Sequence, residues 1–199
     1  VSKARASAAT TLASAVTAEL AGLAMASSVI EVELTPIPRT AHGAEEGAIV
    51  LTPHPGAPAR PLGQGASGGE LSRVMLALEV SLAAARGDAA GGTFIFDEVD
   101  AGIGGRTASQ VGARLAELSR TAQVIVVTHL AQVAAYADRQ IVVAKGMGDG
   151  LTLTQVRTVE NEERTQELAR MLSGETSDTA IRHAADLLVR AERGSIDGI

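Results

Sequence analysis

The chain has 199 residues, of which 46% are hydrophobic and 20% are charged, and its formal net charge at pH 7 is −6. This composition excludes a wholly disordered chain, and the acidic balance argues against an extensive contact with nucleic acid made by this segment alone. The chain has no Cys, which excludes disulfides and thiolate metal sites and is consistent with a reducing compartment such as the cytoplasm. Its aromatic residues are two Phe and one Tyr, too few for a stacking platform for single strands.

The first predicted element is a helix within residues 1–26. Apolar side chains recur there at spacings of four, four and three, which lines one helix face: Leu12, Val16, Leu20 and Leu23. Such a stripe is typical of core packing, and it also fits the end of a coiled coil. Glu19 interrupts the apolar run, which argues against a signal peptide. Because the sequence begins at Val1 rather than Met, we expect a fragment of a longer protein.

Residues 27–66 are predicted to hold two strands and a proline-rich connection. The two strands are Val29–Leu34 and Ala48–Thr52. The stretch between them is rich in Pro, Gly and charged residues, which is typical of a surface connection. All six prolines lie between Pro36 and Pro61, so we expect an irregular region that ends before Ser67.

From residue 67 onward, helices and strands alternate. The predicted order is helix 70–85, strand 93–96, helix 107–119, strand 124–128, a short helix, strands 140–144 and 151–156, and helices 164–172 and 178–193. The runs Phe94–Phe96 and Val124–Val127 are continuously apolar, as in parallel strands covered on both faces. The sequence therefore predicts an α/β fold with a mostly parallel sheet flanked by helices.

The first motif with chemical potential begins the helix at residue 70. Ser67 and Glu70 have the S-x-x-E spacing of a capping box. Gly68 and Gly69 leave the backbone N–H groups of the first turn approachable, and a helix N-terminus with free N–H groups suits phosphate oxygens. An ordinary capped helix explains the same residues equally well.

The second motif is an apolar strand, Thr93–Phe96, that ends in two adjacent carboxylates. Successive residues at a strand end point in different directions, so Asp97 can serve Mg²⁺ while Glu98 addresses a water molecule at a phosphate. Taken alone, a charged strand end in a solvated loop is the simpler interpretation.

The third motif is the apolar strand Val124–Thr128, which delivers His129 at its end. A lone histidine after a strand is more often structural than catalytic. In open parallel sheets, however, ligands collect beyond the carboxyl ends of the strands, where Glu98 is also predicted to lie.

In this order, with one helix between each pair, the three motifs resemble those of the ABC ATPase family. Ser67–Glu70 is similar to the signature, Phe94–Glu98 to Walker B with its catalytic glutamate, and Val127–His129 to the switch region. The resemblance implies the C-terminal lobe of a P-loop NTPase-like ABC ATPase head, occupying residues 67–199.

The residues after Walker B indicate the branch of the family. Transporter strands usually continue Asp-Glu-Pro, whereas residues 97–104 read Asp-Glu-Val-Asp-Ala-Gly-Ile-Gly, which is similar to SMC-like ATPases. Four further segments resemble the DNA-repair members of that branch: Glu70–Leu78, Gly102–Gly105, His129–Ala134 and Glu167–Leu172. The resemblance as a whole extends over residues 63–188.

Two features depart from the family pattern. Gly104 stands where many members have the aspartate of the D-loop, so an aspartate-mediated contact across a head dimer is in doubt. No G-x-x-x-x-G-K-[ST] occurs in the chain, so the P-loop and its lysine must come from elsewhere.

The resemblance implies a complete ATPase head assembled from two lobes. Walker A would lie in an N-terminal lobe of the same protein, residues 1–26 would end the intervening coiled coil, and two heads would sandwich ATP and Mg²⁺ as a homodimer. The resemblance implies that Asp97 binds the metal through water and that Glu98 and His129 take part in catalysis. The signature would contact the partner head's ATP through Ser67, Gly68, Gly69 and Glu70. The D-loop would consist of Asp100, Gly102 and Gly104.

The implied biological role is ATP-driven DNA double-strand-break repair and recombination, with DNA bound by the full protein, association with the nucleoid and no membrane partner. Another SMC-like or RecF-like head is the nearest alternative. A non-catalytic structural lobe is the other, because the isolated chain lacks Walker A and is expected to be inactive.

Overall fold

The candidate site residues lie in two units of the chain. The computed structural model describes residues 1–41, 43–86, 92–148 and 151–196. The first unit comprises Val1–Ile103 with Glu117–Val127, and the second comprises Gly104–Ala116 with Thr128–Ile199. The two units are described separately below.

The first unit begins with helix α1 (Ser2–Leu20), which continues as a 3-10 turn over Ala21–Leu23. The apolar stripe read from the sequence lines its buried face, where Val16, Leu20 and Leu23 are fully buried. The helix packs against the strand that follows it and against the later helix Gly68–Arg86. Its assignment as the end of a coiled coil remains a prediction.

A three-stranded antiparallel sheet follows, in the order β1 (Val29–Thr40), β2 (Gly43–Thr52) and β3 (Arg60–Pro61). The prediction of a surface connection between residues 34 and 48 was wrong, because both strands continue through it and Pro36 pairs with Glu45. Proline is tolerated there since β1 is an edge strand, where a missing N–H need not remove a ladder hydrogen bond. The register shifts between Pro36 and Thr40.

The rest of the first unit holds the elements that carry two of the three motifs. The short helix α2 (Leu62–Gly65) precedes the long helix α3 (Gly68–Arg86), and β4 (Thr93–Phe96) pairs in parallel with β5 (Gln123–Val126). Their register places Phe94 opposite Val124, and the N–H of Val127 donates to the carbonyl oxygen of Phe96 at 2.9 Å. The predicted parallel pair is therefore confirmed.

The second unit contains most of α4 (Gly105–Ser119), the short helix α5 (Ala131–Ala134), the antiparallel hairpin of β6 (Gln140–Gly148) and β7 (Leu151–Val159), and helices α6 (Asn161–Ser173) and α7 (Asp178–Ile196). Its helical core is built mainly from small side chains around one large one: Ala131, Ala134, Ala135, Leu168, Ala169, Ala180, Ala184 and Ala191. Small residues allow helices to approach closely. Gly112 of α4 illustrates this, because a Cβ there would lie 3.1 Å from the carbonyl oxygen of Gln132.

The arrangement is the α/β fold that the sequence predicts. Among the strands described, β4 and β5 form the parallel pair, and the other two sheets are antiparallel. In the described part of the chain, no helix is long and apolar enough to cross a membrane.

Candidate functional site

The Ser67–Glu70 turn at the start of α3 forms the capping box that the sequence predicts. Oε2 of Glu70 accepts hydrogen bonds from the backbone N–H and from the hydroxyl of Ser67, both at 2.8 Å. In return, the N–H of Glu70 donates to Oγ of Ser67 at 3.3 Å. The hydrogen bond from the Ser67 backbone, and then that from its hydroxyl, hold the pKa of Glu70 below its usual value.

The two glycines of this turn lie close to the segment that follows β4, and the approach requires glycine at Gly69. A Cβ on Gly68 would lie 2.7 Å from Oε2 of Glu98, the end of an exposed side chain that can turn aside. A Cβ on Gly69 would lie 2.9 Å from Cβ of Ala101 and 3.2 Å from the carbonyl oxygen of Glu98. Real Cβ atoms essentially never come within 3.0 Å of another heavy atom, so a side chain at Gly69 would push the segment away.

The segment after β4 is a tight turn that presents two carboxylates to solvent. Asp97 and Glu98 are exposed, while Val99 and Asp100 are buried. Glu98 adopts a φ of 58°, in the left-handed region that non-glycine residues seldom occupy. Its carbonyl oxygen accepts from the N–H of Ala101 at 3.0 Å, which closes the turn.

Two side chains of α3 attach the helix to this turn. The hydroxyl of Ser72 donates to the carbonyl oxygen of Asp97 at 2.7 Å. The guanidinium of Arg73, only 6% exposed, donates through Nη1 to the carbonyl oxygens of Ala101 at 3.0 Å and Val99 at 3.5 Å. Burial lowers the pKa of Arg73, and the nearby carboxylate of Glu70 opposes that shift.

Arg73 is not among the site residues that the sequence predicts. The signal that marks it is an arginine within the otherwise mostly apolar buried side of α3, next to Val74. Such a position indicates a charged group with buried partners.

Mg²⁺ prefers oxygen ligands and usually retains several waters. Asp97 offers an exposed carboxylate, as required of a residue that holds the ion through water. Within the described residues there is no cluster of three or more metal-ligating side chains. The donor set therefore fits a weakly held ion that takes its remaining ligands from water and phosphate, and does not form a closed protein cage.

The second unit carries the remaining predicted residues. The carbonyl oxygen of Gly104 accepts from the N–H of Ala108 at 3.4 Å, which places Gly104 at the start of α4. His129 is exposed in the turn between β5 and α5. The hydroxyl oxygen of Thr128 accepts from the N–H of Leu130 at 3.0 Å and fixes that turn.

The structure thus brings together most of the predicted site residues in the first unit: Ser67, Gly68, Gly69, Glu70, Asp97, Glu98, Asp100 and Gly102. Gly102 has a φ of 74°, which favours glycine at that point of the loop. Gly104 and His129 belong to the second unit.

Solved structures with a similar fold are SMC heads. An Smc head domain with coiled coil and joint from Pyrococcus yayanosii aligns with a TM-score of 0.53 at 23% identity, covering 81% of this chain and 29% of that one. The Smc head domain from Pyrococcus furiosus, bound to the C-terminal domain of ScpA, aligns with a TM-score of 0.51 at 21% identity, covering 74% and 34%. At these identities the likeness establishes the fold.

Sequence relatives are closer. No protein-family model matches the chain. The DNA repair protein RecN of Streptomyces coelicolor is 51% identical over 96% of the chain, and that of Mycobacterium leprae is 46% identical over 97%. RecN of Deinococcus radiodurans is 47% identical over 74%. The match spans 36% of the length of the first two relatives and 25% of the third. It is therefore homologous, over nearly all of its own length, to a segment of the RecN family of DNA repair proteins.

Proposed function

We propose that the chain is the C-terminal lobe of an SMC-like ATPase head that hydrolyses ATP in the complete protein and serves DNA double-strand-break repair and recombination. The observation that carries this proposal is the packing of the Ser67–Glu70 turn against the segment after β4. Two motifs that resemble a signature and a Walker B are joined there by Gly68, Gly69 and the side chain of Arg73.

The carboxylates after β4 supply the chemistry of this proposal. Asp97 would hold Mg²⁺ through water, and Glu98 orients the attacking water and accepts its proton. An ion held there would supply positive charge that offsets the charge developing on the phosphate oxygens. The exposure of both carboxylates supports these roles, because each can reach a ligand that approaches from solvent.

The Ser67–Glu70 turn binds the γ-phosphate of the partner head's ATP. Its backbone N–H groups lie at the N-terminus of a 19-residue helix, where the helix dipole favours an anion. The hydroxyl of Ser67 is engaged by Glu70 and has to turn away from it to donate to a phosphate oxygen. Asp100, Gly102 and Gly104 form the D-loop, and His129 senses the γ-phosphate; these roles rest on the family resemblance.

An N-terminal lobe of the same protein, bearing Walker A, is the proposed partner within one head. The first unit exposes apolar side chains on its parallel strands, with Ile95 71% and Ile125 45% exposed, and Val127, just after β5, is 59% exposed. Leu71 and Met75 of α3 line a groove beside β4 and are also partly exposed. Apolar surface of this extent on strands with open edges is typical of a face that another part of the protein covers.

The same proposal includes a homodimer of heads around ATP, residues 1–26 as the end of a coiled coil, DNA bound by the full protein, and a cytoplasmic, nucleoid-associated location.

The second candidate function is that of a structural lobe without ATP turnover of its own. The absence of a P-loop motif from the chain favours it for the chain in isolation.

ATP hydrolysis by the reconstituted head tests the proposal. The purified chain alone should neither bind ATP tightly nor hydrolyse it, and addition of the N-terminal lobe should restore both. Glu98→Gln is the matched control, because the amide keeps the size of the side chain but is a poor base. The reconstituted variant should bind ATP and accumulate as dimers without turnover. Robust hydrolysis by the chain alone, or wild-type turnover by Glu98→Gln, would contradict the proposal.

A further inference from the structure

One arginine of α6, Arg164, contacts the carbonyl oxygens at the C-terminal end of the short helix α5. Nη2 of Arg164 lies 3.3, 3.1 and 2.6 Å from the carbonyl oxygens of Ala134, Ala135 and Ala137. These carbonyls belong to the last residue of α5 and to the turn that follows it. The last carbonyl groups of a helix lack partners within it, and a cationic donor is a favourable partner for them.

A helix of four residues needs such external support. Isolated helices much shorter than about 12 residues are marginal in water, because nucleation is costly. The N–H of Leu130, at the start of α5, donates to the Thr128 hydroxyl oxygen at 3.0 Å. Its buried face contributes Ala131 and Ala134 to the core with Leu168. Arg164 supplies the anchor at the other end.

Burial of the Arg164 side chain opposes folding. Burial lowers the pKa of Arg164, while the carboxylates of Asp138 and Glu192 oppose that shift. Among the described residues, its buried Nε finds no hydrogen-bond partner. Partial burial of the charge and the unpaired Nε–H both lower the stability of the fold. Packing of α5 by small apolar residues alone does not account for an arginine at this position.

The fixed helix begins two residues after His129. The Thr128 turn lies between β5 and α5, so the position of α5 determines where that turn, and the histidine in it, is held. We propose that Arg164 is a positioning residue for His129, acting through α5. This inference rests on the proposed role of His129 at the γ-phosphate.

The inference predicts an effect on turnover and not on nucleotide binding. Walker A, which would supply most of the ATP contacts, is not part of this chain. The affinity of the complete protein for ATP should therefore not depend on Arg164. A misplaced His129 weakens an interaction needed for the chemical step. Such a loss lowers kcat while KM stays near the wild-type value.

The test is a double-mutant cycle on ATP hydrolysis by the complete protein. Arg164→Met keeps an unbranched side chain in place of the aliphatic part of arginine and removes its donors. We expect it to lower kcat about tenfold with KM changed less than about twofold. In the His129→Ala background it should cause no further loss, because it acts through the residue already removed. Arg182→Met, at an exposed position of α7, is the matched control and should leave kcat unchanged.

Each result decides between distinct conclusions. If His129→Ala lowers kcat but Arg164→Met does not, or if their effects multiply in the double variant, Arg164 does not position His129. If His129→Ala itself has wild-type kcat, the proposed role of His129 fails instead. Should Arg164→Met not fold, Arg164→Lys takes its place: it keeps a cation at the carbonyls but loses the fork, so it must fall between wild type and His129→Ala in kcat at unchanged KM. Wild-type kcat in that variant would overturn the proposal.

Discussion

The guanidinium of Arg73 reaches from the first turns of α3 to the carbonyl oxygen of Ala101, 28 residues later in the chain, at a distance of 3.0 Å. It thereby ties the helix that begins with the Ser67–Glu70 turn to the loop that follows the two carboxylates. Together with Ser72, whose hydroxyl donates to the carbonyl oxygen of Asp97, this side chain holds the loop against the helix.

Arg73→Met should therefore destabilise the chain. The methionine fills much of the same volume but leaves the buried carbonyls of Val99 and Ala101 without their donor, and such a loss costs about 1–3 kcal/mol. Urea denaturation followed by circular dichroism measures the difference. Arg86→Met, in the exposed last turn of the same helix, is the control and should change the midpoint little. Equal midpoints for the two variants would contradict the anchoring role of Arg73.

Gly69→Ala should destabilise the chain by overpacking. The new methyl group would meet Cβ of Ala101 at 2.9 Å and the backbone oxygen of Glu98 at 3.2 Å, neither of which is the end of a flexible side chain. Forcing such contacts costs typically about 1–3 kcal/mol. Thermal denaturation compares this variant with Gly63→Ala, where a Cβ has nothing within 4 Å. A Tm for Gly69→Ala as high as that of the control would refute the close packing.

The capping box should give stability that depends on pH. The pKa of Glu70 is lowered in the folded state by its hydrogen bonds with Ser67. A carboxyl whose folded-state pKa is depressed stabilises the fold above its unfolded-state pKa, and this contribution disappears as pH falls through the folded-state value. Glutamine can still complete a capping box, so Glu70→Gln removes mainly the charge. It should therefore cost about 0.3–1 kcal/mol near neutral pH and progressively less below pH 4.5, the ordinary pKa.

Denaturation midpoints of wild type and Glu70→Gln, measured from pH 7 downward, provide the comparison. Glu31→Gln, an exposed carboxylate on β1, controls for the general effect of removing one negative charge. A constant difference between wild type and Glu70→Gln across the whole range would show that the charge of Glu70 contributes nothing.

Mixed dimers test whether the Ser67–Glu70 turn acts on the partner's nucleotide. Ser67→Arg puts a bulky cation where the phosphate must lie, and Glu98→Gln removes the base, so each homodimer should be nearly inactive. Each site would pair Glu98 of one head with Ser67 of the other. In a mixed dimer one site therefore carries both substitutions and the other carries neither. With free exchange about half of the dimers are mixed, and each retains one of two sites, so about a quarter of wild-type hydrolysis should return.

A covalently linked dimer with one wild-type head and one head carrying both substitutions separates the remaining explanations. If that dimer is active while the mixture of single variants is not, Ser67 and Glu98 serve the same site of one head. The trans arrangement would then be refuted.

Local pattern was sufficient for most of the elements and for part of the site. The apolar runs at Phe94–Phe96 and Val124–Val127 predicted a parallel pair, which the structure contains, although Ile95 and Ile125 are exposed and the expected cover on both faces is not present within the described chain. The S-x-x-E spacing predicted the hydrogen bonds between Ser67 and Glu70, since both partners lie within one helical turn.

What the sequence did not predict depends on partners that are distant along the chain. The donors of Arg73 and Arg164 reach carbonyl groups 26 to 30 residues away, and no local spacing marks such pairs. The long hairpin was missed for a related reason. Prolines indicate irregular structure, but at an edge strand such as β1 that preference is overridden by pairing with β2.

The contact between Glu98 and Gly68 has a consequence for communication between nucleotides. If the signature of each head serves its partner's ATP, every chain contributes to two sites, its glutamate to one and its glycine turn to the other. Those two contributions lie next to each other within a single subunit, because an added Cβ on Gly68 would be 2.7 Å from Oε2 of Glu98. If a nucleotide that shifts one also shifts the other, ATP hydrolysis by the dimer should show a Hill coefficient different from one. A value of one would mean that the two sites act independently.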